Sequence, residues 1–109
     1  MSYVKAAETQ EIPQGAMKGV KLSDKEILIA NVDGAYYAMG SRCPHAKGDL
    51  SKGTLEGNIL TCPRHGSRFD VKSGKAISGP KILFIRIGVR DVQSYEVKVV
   101  DNDVLIKME

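Results

Sequence analysis

The stretch KEILIANVDGAYYAM, residues 25–39, decides the fold class. Its first half alternates as a strand does, with Ile27 and Ile29, joined by Val32, assigned to one face and Leu28 and Ala30 to the other. Asp33-Gly34 follows, a residue pair that accepts the positive φ angles of a two-residue hairpin turn. Residues 35–39 then return as the partner strand.

The same grammar repeats outward from this hairpin. Residues 4–7 make a first short strand. Leu55 and Ile59 flank Glu56-Gly57-Asn58, and Phe69 and Val71 face Ala76 and Ile77 across Lys72-Ser73-Gly74-Lys75, so two further tight hairpins are expected. Tyr95, Val97 and Val99 alternate with Glu96 and Lys98 before Asp101-Asn102 turns the chain into a closing strand at residues 104–108. Residues 82–92 are less regular: Ile85, Ile87 and Val89 alternate with Arg86, Gly88 and Arg90, but Leu83-Phe84 lie beside them. A buried or edge strand is preferred there over a partner-binding patch. No repeat, low-complexity tract or linker interrupts the pattern. The expectation is an all-β fold of antiparallel sheets forming a single domain over residues 1–109.

A chain of 109 residues, 42% hydrophobic and 27% charged, has the composition of one globular domain. At this size the core is marginal, so a cofactor joining two loops would add stability of its own. No apolar run approaches the roughly 20 residues of a membrane-spanning helix. The first ten residues mix Lys5, Glu8 and Gln10 with alanines instead of forming a signal-peptide core. A soluble, cytoplasmic protein with no membrane partner is expected.

Charge is uneven. Between Arg42 and Lys81 stand eight basic residues (Arg42, Lys47, Lys52, Arg64, Arg68, Lys72, Lys75, Lys81) and three acids (Asp49, Glu56, Asp70), a local balance of +5 in a chain of +3. Such an excess steers an acidic partner or anion, and equally describes a solvated loop surface. Nucleic acid is not expected as a partner, because the basic residues are not interleaved with aromatics.

The chemistry is concentrated in two short segments, Cys43-Pro44-His45 and Cys62-Pro63-Arg64-His65, separated by the sixteen residues 46–61. Each offers one thiolate and one imidazole beside a proline, whose fixed φ suits a turn with converging side chains. Both cysteines and both histidines of the chain are used here, so all four are candidate metal ligands. With both cysteines bound to metal none remains for a disulfide, as suits a reducing compartment.

This C-x-H-x16-C-x2-H pattern resembles that of Rieske iron–sulfur proteins, in which two cysteines hold one iron and two histidines the other. The resemblance continues through Gly66-Ser67, Phe69-Asp70 and Gly79-Pro80, and covers residues 34–80 with the closing strands. It implies a sandwich of antiparallel sheets with a cluster-binding part, about residues 40–81, at one tip, and one 2Fe–2S cluster held by Cys43, His45, Cys62 and His65. It further implies that Gly79 and Pro80 form a shielding loop and that each histidine ligates through one nitrogen, leaving the other toward water. Two thiolates and two neutral imidazoles leave the oxidised cluster uncharged, whereas four thiolates leave it doubly negative. Reduction is therefore easier, with potentials of about −150 to +300 mV against about −400 mV for plant-type clusters.

Ser67 matches the position from which, in respiratory members, a hydroxyl donates to a bridging sulfide. Phe69 stands where those members have a donating tyrosine, Arg64 takes the place of one of their disulfide cysteines, and their N-terminal anchor has no counterpart. The resemblance thus implies the oxygenase-associated type, a one-electron carrier and not an enzyme, with a potential in the lower half of the range. Its implied partners are a flavoprotein reductase as donor and an oxygenase or other oxidoreductase as acceptor, met through an acidic docking surface. Two Cys and two His also satisfy a structural zinc ion, although zinc sites usually pair like with like. A cluster-bearing subunit or sensor of a larger enzyme system is the other alternative.

Overall fold

In chain order the strands are β1 (Ser2–Glu8), β2 (Met17–Leu22), β3 (Lys25–Val32), β4 (Ala35–Gly40), β5 (Thr54–Glu56), β6 (Ile59–Thr61), β7 (Arg68–Asp70), β8 (Lys75–Ser78), β9 (Lys81–Ile82), β10 (Ile85–Arg86), β11 (Ser94–Tyr95), β12 (Val97–Val100) and β13 (Asp103–Met108). The computed structural model describes residues 2–42, 49–63, 66–78, 81–82, 85–86 and 91–108. Antiparallel pairing assembles sheets ordered β1-β13-β12, β11-β4-β3-β2 and β5-β6-β7-β8, with β9 and β10 as a separate ribbon. Among the described residues no helix is long and apolar enough to cross a membrane.

Strand β3 explains the layering. Leu28, Ala30 and Val32 share a core with Met39, Leu50, Leu60, Cys62, Phe69, Val71 and Val92. Ile27 and Ile29 share another with Ala7, Ile12, Ala38, Val104 and Ile106. The sheet containing β3 is therefore packed on both faces, against β1-β13-β12 on one side and against the β5–β8 hairpins on the other. Full burial of a Leu or Ile side chain contributes about 1.5–3 kcal/mol, and Ile27, Leu28 and Ile29 are all fully buried. Val32 belongs with Leu28 and Ala30, not with Ile27 and Ile29 as expected, because a period of two puts even-numbered residues together.

The turn between β3 and β4 forms as its sequence dictates. Asp33 and Gly34 have φ of 53° and 88°, both positive, the mirrored type I geometry that matches strand twist. Buried Asn31 locks this turn to the N-terminal segment: its Nδ2 donates to the Ile12 carbonyl at 2.9 Å and its Oδ1 accepts the Gly34 N–H at 2.9 Å.

Three segments differ from expectation. Strand β2 was not foreseen, because Gly19 interrupts its alternation; a Cβ there would lie 3.0 Å from Ser51 Oγ. Tyr95 and Val97 belong to different sheets, β11 pairing with β4 and β12 with β13, so the alternating run changes sheet at Glu96. The described part of residues 82–92 is the short β9–β10 ribbon followed by a connecting strap, not one long strand. Residues 83–84 and 87–90 lie outside the described residues.

The strap, residues 91–93, ties two sheets together. Gly40 donates its N–H to the Gln93 carbonyl at 2.9 Å, and Val92 donates to the Gly74 carbonyl at 2.7 Å. Asp91 Oδ1 accepts the Ala76 N–H at 2.8 Å. Gly74 is required twice over: its φ is +77°, and a Cβ would lie 2.0 Å from the Val92 carbonyl oxygen. Gly74→Ala is expected to destabilise the protein by about 3 kcal/mol. Gly57→Ala, at φ +61° with open space around it, should cost only about 1 kcal/mol. Urea unfolding followed by circular dichroism measures both, and equal losses would show that the strap contact contributes nothing.

Candidate functional site

The two segments that hold the candidate ligands arise from closed roots. In the second, β6 and β7 run together through the Thr61–Arg68 pair. Cys62 then donates its N–H to the Ser67 carbonyl at 2.7 Å and accepts the Gly66 N–H at 3.2 Å. Gly66 closes this turn with φ of +79°, where a side chain would be strained. The first root is the bridge between Arg42 and Asp49, with Leu50 donating to the Ser41 carbonyl at 2.7 Å.

The roots lie side by side. Leu50 and Cys62 share one core, and Gly53 backs so closely onto β6 that a Cβ there would lie 2.1 Å from the Thr61 carbonyl oxygen. Two charged groups brace the first root. Arg42 donates from Nη2 to Glu26 Oε1 at 2.8 Å and from Nε to Oε2 at 3.3 Å. That pairing holds Glu26 below the usual carboxylate range and raises the guanidinium further. Asp49 caps the single turn Leu50–Lys52, its Oδ1 accepting the Ser51 hydroxyl at 2.6 Å and the Ser51 N–H at 3.0 Å.

Of the candidate ligands, Cys62 is placed 2% exposed at the end of β6. Cys43, His45 and His65 lie outside the described residues, as do Gly79, Pro80 and Arg64. Ser67 is 1% exposed, and its Oγ has no hydrogen-bond partner. Burying a hydroxyl without a partner costs about 1–3 kcal/mol, so the position next to buried Cys62 calls for an acceptor that the described residues do not supply. A sulfur-rich inorganic group held by Cys62 fits that demand. Phe69 is fully buried and packs in the core between the sheets. The bracing residues Glu26, Asp49, Gly53 and Asp91 were missed by sequence reasoning; only Asp49, an acid two residues before a serine at a turn start, left a local signal.

Residues 2–96 match the family model described as Rieske [2Fe-2S] domain. The chain belongs to the Rieske [2Fe-2S] family. The ferredoxin component of naphthalene 1,2-dioxygenase/salicylate 5-hydroxylase systems from Ralstonia sp. is 38% identical over 108 residues, covering 99% of this chain and 97% of the relative. The ferredoxin component of the naphthalene 1,2-dioxygenase system from Pseudomonas aeruginosa is 33% identical over 106 residues, covering 97% and 95%. Among solved structures, a chain of a complex of reduced oxygenase and oxidized ferredoxin in carbazole 1,9a-dioxygenase superposes with a TM-score of 0.83 at 26% identity, covering 98% of this chain and 97% of that one. The Rieske assignment selects one 2Fe–2S cluster over a zinc ion, and the protein is an electron-transfer ferredoxin, not itself a catalyst.

Asp49 gives this Rieske domain a pH signature. The Ser51 hydroxyl, and then the Ser51 N–H, hold its carboxyl below the usual value. A depressed folded pKa favours the folded state above the unfolded carboxyl value of about 3.9, and that gain disappears as pH falls through the folded value. The stability advantage of the wild type over Asp49→Asn, under about 1 kcal/mol for a partly exposed group, is expected to shrink as pH falls from about 5 to about 2. Urea midpoints across that range check it, and a gap that widens in acid contradicts the assignment.

Proposed function

We propose that this ferredoxin takes one electron from a flavoprotein reductase in the cytoplasm and delivers it to an oxygenase. Cys43, His45, Cys62 and His65 would hold the 2Fe–2S cluster, which supplies a one-electron couple. The relatives named above serve dioxygenase systems, which supports an oxygenase as acceptor. The observation that carries the site is the buried, unpartnered Ser67 hydroxyl beside buried Cys62 at the root of a ligand-bearing turn.

The chain's own residues have distinct tasks in this reading. Cys62 stands in a turn closed by backbone bonds to Ser67 and Gly66, so the backbone shares with the metal the task of holding the ligand loop. Ser67 would donate a hydrogen bond toward cluster sulfur, which favours the more negative, reduced state. Phe69 fills the core and offers no donor. Gly79 and Pro80, by the family likeness, would shield the cluster from one side. These roles support a potential in the lower half of the range of about −150 to +300 mV.

Purified protein is expected to be brown, to bleach with dithionite, to give an EPR signal only when reduced, and to contain iron and acid-labile sulfide in equal amounts. Colourless protein without labile sulfide would refute the function. Ser67→Ala should keep the visible spectrum and lower the potential by about 1 kcal/mol, roughly 40 mV for one electron, with Ser67→Thr restoring part of it. Redox titration of the three proteins decides this, and an unchanged potential in Ser67→Ala would remove Ser67 from the site.

A further inference from the structure

Lys5 pairs with Glu8 and Asp103 at 3.1 and 3.3 Å, and Lys18 pairs with Glu11. At the first ligand root Arg42 pairs with Glu26. Beyond that root, among the described residues, exposed Lys52, Arg68, Lys72 and Lys75 have no acidic side chain within ion-pair distance; only Lys72 finds another contact, over the Tyr37 ring at 5.7 Å. Two of the acids of this part are engaged by neighbours, Asp49 accepting from Ser51 and Asp70 Oδ1 from Asn58 and from the Lys72 N–H, while Glu56 is exposed at the β5–β6 turn. Lys52 and Arg68 thus stand uncompensated beside the ligand turn, whereas Lys72 and Lys75 lie with Glu56 at the opposite end of the same hairpins.

Ile77 adds an apolar centre to that surface. At 52% exposed it is the most exposed of the large hydrophobic residues described. It lies on β8, at the edge of its sheet, where the register shifts between the Arg68–Ser78 and Phe69–Ala76 pairs. Ile77 is therefore the extra residue of a bulge, a device that re-aims a side chain at a sheet edge. Its neighbour across the strands is Arg68, which directly follows Ser67. Folding gains nothing from holding an isoleucine in water beside an unpaired guanidinium.

We propose that Arg68 and Ile77 are the centre of the surface on which the electron acceptor docks, and that the acceptor is a protein presenting carboxylates around an apolar contact. This rests on the carrier function proposed above. Positive charge beside the electron exit acts over about one Debye length, roughly 8–10 Å at physiological salt, so it orients the encounter near the cluster. The apolar contact then slows dissociation.

The test uses the cluster-loaded protein, reduced and mixed rapidly with ferricyanide, an anionic oxidant, or hexaamminecobalt(III), a cationic one. Arg68→Glu is expected to slow oxidation by ferricyanide roughly tenfold at low ionic strength, to accelerate oxidation by hexaamminecobalt(III), and to lose both differences in high salt. Each variant's potential is measured so that the driving force is known. In parallel, steady-state reduction of the oxygenase from the Ralstonia naphthalene 1,2-dioxygenase system is expected to need about tenfold more Ile77→Ser than wild type for half-saturation, at an unchanged limiting rate. Equal ferricyanide rates for wild type and Arg68→Glu, or an unchanged half-saturation for Ile77→Ser, overturn the docking surface and leave the carrier function standing. A wild-type protein with no cluster signal overturns the carrier function, and the docking surface with it.

Discussion

Strand β3 has no face toward water, and the rest of the structure follows from that constraint. An eight-residue strand whose last six positions are all buried needs apolar cover on both sides. The β1-β13-β12 sheet supplies one cover and the β5–β8 hairpins the other. The second cover is the part of the chain that carries Cys62 and Ser67. The site is thus not an appendage on a finished domain: its hairpins fill half of the core that holds the central sheet in place.

Contacts of the backbone with itself set the precision of that arrangement. Gly53 against the Thr61 carbonyl and Gly74 against the Val92 carbonyl are approaches no side chain could share. Each fixes a hairpin of the cluster-bearing part against a neighbour. Ser67, in contrast, is a polar group left without a protein partner in an otherwise satisfied interior. Among the described residues, this single buried hydroxyl without a partner marks a place where the sequence is shaped by something other than folding.

Much of this was legible from residues alone, for local reasons. Asp33-Gly34 announces its turn because few residue pairs accept two positive φ angles, and the Cys/His pattern stands out because it uses all of the chain's cysteine and histidine. What escaped detection depends on distant partners. Gly19 hides β2 because its missing side chain makes room for Ser51, thirty-two positions away. Glu26 reads as an ordinary exposed strand residue until Arg42 is folded against it. Asp91 lies in an apolar stretch that suggests a strand, whereas its carboxylate caps the Ala76 N–H. The ligand set itself was read from spacing and family likeness, and of it the structure describes Cys62.

The two cores differ in one respect. The core formed by Ala7, Ile12, Ile27, Ile29, Ala38, Val104 and Ile106 contains none of the candidate ligands, and the strands around it pair without help from the hairpins that hold Cys62 and Ser67. The other face of the same sheet, with Leu28, Ala30 and Met39, is covered by Leu60, Cys62, Phe69 and Val71 of the ligand-bearing hairpins. Damage to the ligand turns therefore uncovers one face of the central sheet and leaves the other sealed, so such a lesion loosens half of the protein and not the whole.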